Sequence, residues 1–173
     1  MYKRQEHEPA DLVALALLAA GCSEAGLDRA SRTATTDEAG GPAPDFSVPA
    51  LDGDGRVALA DYAGRPVVLN FWASWCGPCK LEMPDLVAFA EEHPEVAVVG
   101  LAVNDAPSDS RRFAERYSVG YDLGIDRDTE VAGEFGATGL PVTVYIDRGG
   151  RIVTTHFGTV TRPDLEAFAR AHA

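Results

Sequence analysis

Cysteine is scarce in this chain of 173 residues, which contains only three. Three cysteines are too few for the disulfide scaffold of a small secreted domain. Basic residues are also few, because 15 Lys and Arg stand against 27 Asp and Glu, for a formal net charge of −12. This charge argues against a nucleic acid as partner, since polyanions bind basic surfaces. Most of the carboxylates are expected at the solvated surface, so the acidity identifies no substrate.

The chain also lacks an apolar run of the roughly 20 residues that a bilayer requires. A shorter run of nine, Leu12 to Ala20, has the length of the apolar region of a secretory signal. It ends in AAGC, which resembles a bacterial lipobox, in which the cysteine is lipidated and begins the mature chain. We therefore interpret residues 1–21 as a lipoprotein signal peptide and Cys22 as the lipidation site.

Two features depart from that signal pattern. Ala19 stands where leucine is usual, and the first eleven residues carry two basic side chains against three acidic ones. A cytosolic protein with an apolar helical turn near its start is the alternative interpretation. Residues 22–43 are rich in Ala, Gly, Ser, Thr and charge without apolar periodicity, which predicts a flexible linker. A tether between a membrane anchor and a folded domain at residues 44–173 would have this composition.

Apolar patterns in residues 44–173 predict an α/β domain. The Asp-Gly pairs in Phe46–Leu59 indicate a hairpin, and Met83, Leu86, Val87 and Ala90 have the spacing of an amphipathic helix. Further helices are expected at Ser108–Tyr117, around Val131 and Phe135, and after Thr161, which begins a capping motif. Strands are predicted at Val67–Trp72, Val96–Val103, around Leu123 and Ile125, at Val142–Ile146 and at Ile152–Phe157. Strands separated by helices imply a parallel section, and the final hairpin adds an antiparallel edge.

Two cysteines, Cys76 and Cys79, lie two residues apart in WCGPC, directly after the strand VVLNFW. A structural zinc site needs about four ligands, and the four histidines are scattered through the sequence. We therefore expect no metal. If Cys76 opens a helix, the free N–H groups and the helix dipole favour its thiolate, which makes it the nucleophile. Cys79, one turn deeper, is placed to resolve a mixed disulfide. Pro78 suits a first helical turn, and Gly77 leaves room for a partner.

WCGPC after VVLNFW, together with PDFSVPALDGDGRVAL and the downstream GLPVTVYIDRGGRIV, resembles the thioredoxin fold. The wider pattern is similar to its extracytoplasmic TlpA/ResA-like branch, with a redoxin domain of the AhpC/TSA type, over about residues 42–173. The resemblance implies a three-layer sandwich. A central mixed β-sheet would carry helices on both faces and an added N-terminal β-hairpin.

Further site residues are implied by the resemblance. Pro141 matches the cis-proline that faces the cysteine pair and binds substrate backbone, and Leu140 before it occupies a position that tunes specificity. Glu82 matches the acidic residue near the thiols, which could take the proton from Cys79 if partial burial raises its pKa. A solvated surface carboxylate is the alternative for Glu82.

Three more residues belong to this expected site. Asn70 departs from general thioredoxins, which have a buried Asp there, and an amide cannot act as that base. It would instead orient a water or form a hydrogen bond near Cys79. Trp75 would shield Cys76 and contribute to the docking surface, whereas Trp72 would pack beneath the site.

The resemblance implies a membrane-anchored, monomeric thiol-disulfide oxidoreductase that reduces disulfides of extracytoplasmic proteins, with apocytochrome c as the best-known type of client. The expected partners are client proteins with disulfides or thiols and a membrane protein that donates electrons, since the chain has no flavin or nicotinamide motif. The redox-active disulfide would be the only redox group, without a cofactor. A disulfide-forming oxidase on the same fold is one alternative. A nonenzymatic metallochaperone is another, although that use of the fold normally has a wider cysteine spacing and a ligand histidine.

Overall fold

A computed structural model describes residues 40–53 and 55–173 of the chain. Seven strands occur in them: β1 (Ser47–Pro49), β2 (Arg56–Ala58), β3 (Val67–Trp72), β4 (Ala97–Val103), β5 (Asp122–Asp126), β6 (Val142–Ile146) and β7 (Ile152–Phe157). The α-helices are α1 (Cys79–Glu92), α2 (Pro107–Tyr117), α3 (Glu130–Glu134) and α4 (Arg162–His172). The signal peptide, Cys22 and most of the linker predicted from the sequence lie outside the described residues. Among the described ones, no helix is both long and apolar enough to cross a membrane.

The central sheet has five strands in the order β5-β4-β3-β6-β7. β4 pairs in parallel with both β3 and β5, whereas β6 is antiparallel to β3 and to β7. β1 and β2 form a separate antiparallel hairpin. The predicted mixed α/β architecture with an added N-terminal hairpin is therefore confirmed. Placing β3 at the centre buries all six of its residues, as its β-branched and aromatic residues with little alternation predicted.

Alternate residues of β3 face two different cores. Val67, Leu69 and Phe71 pack with residues of the hairpin and α3, and Val68 packs with residues of α1 and α4. Helices therefore cover both faces of the sheet. Trp72 belongs to a third cluster, which contains both site cysteines and Phe113 of α2. The site is thus built directly on the end of the central strand.

One local expectation for the first helix was wrong. α1 begins at Cys79, so Cys76 lies in the preceding turn and does not open the helix. The predicted apolar stripe does face the core: Met83 and Leu86 are fully buried, and Val87 and Ala90 are partly buried and pack against it. The buried face of α1 also includes Cys79, Glu82 and Phe89.

The chain enters the described region beside the start of β7. The backbone N–H of Ala43 donates to Gly150 O at 2.9 Å, and that of Ile152 donates to Gly41 O at 3.1 Å. Because β7 runs antiparallel to β6 and β6 antiparallel to β3, this point lies at the end of the sheet opposite the cysteines. The end of the sheet that carries the cysteines is therefore remote from residues 41–43, near the start of the described part of the chain.

Gly100 in β4 provides a test of packing beneath the site. A Cβ atom there would lie 2.6 Å from Leu123 Cδ2 and 2.9 Å from Trp72 Nε1, closer than real Cβ contacts. We expect Gly100→Ala to lower the free energy of unfolding by about 1–3 kcal/mol, because the rigid indole cannot move aside freely. Urea unfolding of the oxidised protein measures this. Gly133→Ala, where a Cβ meets nothing within 4 Å, is the matched control, and equal stabilities of the two variants would contradict the prediction.

Candidate active site

A short turn between β3 and α1 carries the cysteine pair. Cys76 and Cys79 form a disulfide with an S–S distance of 2.03 Å. The N–H of Cys76 donates to Ala73 O at 3.1 Å and closes the turn, and the N–H of Cys79 donates to Cys76 Sγ at 3.1 Å. The first N–H group of α1 is therefore directed at the Cys76 sulfur. Such a donor favours negative charge on that sulfur when the disulfide is opened.

The two cysteines differ in their access to solvent. Cys79 is completely buried, and Cys76 retains 4% exposure. Both neighbours of Cys76, Trp75 and Gly77, are exposed, and Trp75 reaches 60%. A thiol or disulfide arriving from solvent therefore meets Cys76, while Cys79 is reached only through the interior.

Trp72 and Leu140 pack in the cluster that contains the disulfide, and Leu140 precedes Pro141. The Leu140–Pro141 peptide bond is cis, as the resemblance implied. Leu140 is partly buried and packs against the cluster that contains both cysteines. Trp72 is fully buried in the same cluster, with its ring centroid 4.7 Å from that of Phe113, so it is a core residue as predicted. Pro78 is exposed, and Gly158 N–H donates to Pro141 O at 2.9 Å.

Glu82 is buried completely on the same face of α1 as Cys79. Residues three apart on a helix are neighbours, at about 5–6 Å between Cβ atoms. One carboxylate oxygen accepts from Asn70 Nδ2 at 2.8 Å, and the other accepts from the Val160 N–H at 2.9 Å. The solvated alternative considered for this side chain is thereby excluded. The side-chain amide of Asn70 therefore hydrogen-bonds directly to Glu82. This partner of Asn70 was not predicted from the sequence.

Burial raises the pKa of Glu82 from 4.5 to about 7. Loss of hydration disfavours the carboxylate, whereas the N–H of Val160 and the amide of Asn70 favour it and reduce the shift. Desolvation prevails because the two donors replace only part of the hydration that the carboxylate would have in water. A carboxyl that titrates near neutrality can both accept and release a proton under ordinary conditions.

Sequence reasoning missed two partners in this network. Thr143 Oγ1 accepts from Asn70 Nδ2 at 3.0 Å and is itself buried, and Val160 contributes only its backbone N–H. The signal that could have identified Thr143 is its polar side chain in the otherwise largely apolar strand VTVYI. The backbone donor at Val160 leaves no trace in the sequence, because every residue but proline has such a group.

Asn70 makes an unusual set of contacts. Both of its hydrogen bonds are made by Nδ2, and its buried Oδ1 has no hydrogen-bond partner. His156, by contrast, has a hydrogen bond of 3.2 Å between Nε2 and the Thr159 carbonyl. Within residues 40–53 and 55–173, no cluster of three or more His, Cys, Asp or Glu side chains could hold a metal ion.

Comparison with known proteins identifies relatives that share this site's chemistry. The family model described as AhpC/TSA family matches residues 39–155. The thiol-disulfide oxidoreductase ResA of Geobacillus thermodenitrificans is 36% identical over 129 residues, which cover 73% of this chain and 74% of that protein.

Two solved structures are also similar. A DsbF homologue from Corynebacterium diphtheriae has a TM-score of 0.70 at 29% identity and covers 75% of this chain and 85% of its own. A secreted disulfide oxidoreductase of Mycobacterium tuberculosis, homologous to E. coli DsbE, has a TM-score of 0.67 at 25% identity, with 73% and 95% covered. The chain therefore belongs to the AhpC/TSA family and is a thioredoxin-like thiol-disulfide oxidoreductase related to ResA.

Proposed function

We propose that this protein reduces disulfides of extracytoplasmic client proteins, to which it is presented from a membrane by a lipid on Cys22. The observation that carries the exchange chemistry is the disulfide with one sulfur beside exposed residues and the other buried next to Glu82. The disulfide is the redox group, and neither a metal nor a further cofactor takes part. The protein acts as a monomer.

The first step is attack by Cys76. In the reduced protein its thiolate, favoured by the N–H of Cys79, attacks one sulfur of the client disulfide. A bond forms between Cys76 and that sulfur, and the other client sulfur leaves as a thiolate, which takes a proton from water. Trp75, Gly77, Pro78, Leu140 and Pro141 provide the surface on which the client lies.

The second step is resolution by Cys79. Its thiol transfers a proton to the carboxylate of Glu82, and the thiolate attacks Cys76 Sγ. The Cys76–Cys79 disulfide forms and the second client sulfur is released, so two electrons pass to the client. Glu82 suits this transfer because its pKa of about 7 lies close to that of a thiol, which is about 8.5.

Asn70 supports Glu82 in both protonation states. The amide now donates to the carboxylate and leaves Oδ1 without a partner. A protonated Glu82 needs an acceptor, and rotation of the amide by half a turn would offer Oδ1 to Glu82 and to the hydroxyl of Thr143.

The direction of electron flow is inferred from the residues between the cysteines. Gly77 and Pro78 match thioredoxin, whose potential of about −270 mV makes it a reductant, whereas the oxidant DsbA lies near −120 mV. Electrons would come from a membrane protein. Apocytochrome c, which must be reduced before haem attachment, is the proposed type of client.

The path of the chain agrees with a membrane tether. The chain enters the described region at Gly41–Ala43, at the opposite end of the sheet from Cys76. One of the similar proteins described above is itself secreted.

The redox potential tests the direction. We expect equilibration of the Cys76–Cys79 pair with glutathione or thioredoxin to give a potential well below −200 mV, as for other reductants of this fold. Tryptophan fluorescence follows the reaction because Trp72 packs against the disulfide cluster. A potential above about −150 mV would instead assign the protein to the disulfide-forming oxidases.

Client trapping tests the order of the cysteines. Cys79→Ser should accumulate mixed disulfides between Cys76 and clients in the native membrane, because the resolving thiol is gone. Cys76→Ser should abolish turnover and trap no client. The double variant Cys76→Ser/Cys79→Ser retains Cys22 and controls for adducts at that cysteine. Equal trapping by Cys79→Ser and the double variant would contradict the assignment.

Glu82→Gln tests the proton transfer. The resolving rate of the wild type should rise with pH through about 7, because only the carboxylate accepts the proton. In Glu82→Gln this rise should disappear, leaving the slower dependence of an unassisted thiol. Single-turnover kinetics between pH 5 and 9 measure both profiles. Glu91→Gln, an exposed change on the same helix, is the matched control, and identical profiles for wild type and Glu82→Gln would refute the role.

The same variant has a second, thermodynamic consequence. Between pH 4.5 and 7 the folded protein retains a proton on Glu82 that the unfolded chain releases, so stability falls as pH rises through this interval. The raised pKa corresponds to a loss of about 3 kcal/mol. Urea unfolding of the oxidised forms at pH 4.5 and 7.5 should show a smaller pH dependence for Glu82→Gln than for wild type or Glu91→Gln.

A further inference from the structure

The turn before Cys76 is held by residues that follow the neighbouring strand β4. Asp105 accepts four hydrogen bonds. Two come from Ser74, from its N–H at 2.7 Å and from its hydroxyl at 2.9 Å. The others come from the Ala106 N–H at 2.9 Å and the Ser110 hydroxyl at 2.8 Å. Asp105 therefore ties the segment before the nucleophile to the start of α2.

Trp75 is attached to the same place. Its indole N–H donates to Asn104 O at 3.2 Å, although the ring is 60% exposed. Asn104 has a φ of 45°, in the left-handed region that asparagine tolerates better than most residues. Its own N–H donates to Asp126 O at 3.0 Å. With its only polar atom bonded internally, Trp75 presents an apolar surface to solvent.

We propose that Asp105 is a positioning residue for thiol-disulfide exchange. By holding the backbone and side chain of Ser74, it places the ring of Trp75 and the sulfur of Cys76 so that a protein client meets both at once. This role rests on the proposed assignment of Cys76 as the attacking thiol. Asp105 itself touches neither sulfur nor client and exchanges no proton or electron.

A carboxylate is well suited to this position. The four groups that surround Asp105 include two backbone N–H groups, which can only donate, and an ionised carboxylate offers acceptors on both oxygens. The two N–H groups bond to different oxygens, so an amide in either orientation would turn an NH₂ group toward one of them. Asparagine therefore cannot substitute fully, despite its similar shape.

The expected effect depends on the size of the substrate. A large client must contact Trp75 while its disulfide reaches Cys76, and small displacements in such an arrangement are costly. A small disulfide needs only the sulfur. Asp105→Ala should therefore lower kcat/KM for a protein disulfide by about tenfold, while the rate with a small aromatic disulfide changes by less than about twofold.

The experiment measures, for each variant, insulin reduction with dithiothreitol as the reductant that regenerates the enzyme, and single-turnover reduction of 5,5′-dithiobis(2-nitrobenzoate) by enzyme that has been reduced and desalted beforehand. Asp109→Ala removes the same charge from α2 at a position that contacts Arg112 instead, and is the matched control. Ser74→Ala loses the hydroxyl hydrogen bond to Asp105 but keeps the backbone bond, so its loss of rate with insulin should lie between those of the wild type and Asp105→Ala. It replaces Asp105→Ala in the test if that variant does not fold. The indole N–H resonance of Trp75, assigned with Trp75→Phe, should shift and exchange faster in Asp105→Ala.

Two outcomes would overturn the proposal. If folded Asp105→Ala, or Ser74→Ala in its place, keeps the wild-type ratio of the two rates and an unchanged Trp75 resonance, the residue does not position the turn. An equal loss with both substrates would place its effect on the thiols or the fold. Failure of the proposed function is distinguishable, because the redox potential of the wild type decides the direction, whereas the ratio of the two rates in the variants decides the role of Asp105.

Discussion

The burial of one carboxyl group beneath the cysteine pair is the constraint on which the site depends. Glu82 is fully buried on the inner face of α1, and its carboxylate accepts hydrogen bonds from Asn70 and Val160. Burial without these donors would cost several kcal/mol more or keep the group neutral at all ordinary pH values. The donors keep the pKa of Glu82 at about 7, within the range useful for thiol chemistry.

The same arrangement makes the surroundings of the two cysteines unequal, as the proposed roles require. Cys76 lies in a turn whose neighbours are exposed, and Cys79 lies at the first residue of α1, fully buried. A nucleophile must be reached from outside, whereas a resolving thiol needs only its own partner and a base. The helix begins at Cys79 and not, as predicted from the sequence, at Cys76. The N–H of Cys79 is therefore free to donate to the sulfur of Cys76 and to stabilise negative charge on it.

Much of the fold could be predicted from local patterns. β3, β6 and the N-terminal hairpin follow from β-branched runs and Asp-Gly turns, and the Thr161–Asp164 capping box is present as its spacing indicated. The burial of Glu82 could not be predicted from periodicity, because a charged residue beside an apolar stripe is normally solvated. Its two hydrogen-bond partners, Asn70 of β3 and Val160 before α4, come from elements that only the tertiary structure brings to α1.

By itself, the sequence determined the chemical type of the site. The features that indicate it are local: the Cys-x-x-Cys spacing, the strand before it, and Pro141 before the strand VTVYI. Local features can be recognised from the sequence alone. The tertiary structure alone decided which groups surround the thiols. Asn70 meets Thr143 across 73 positions, and Glu82 meets Val160 across 78. Contacts between residues so far apart in sequence depend on the order of the strands and on how the helices pack against the sheet. Both are determined by the packing of the entire core, which no local sequence pattern encodes.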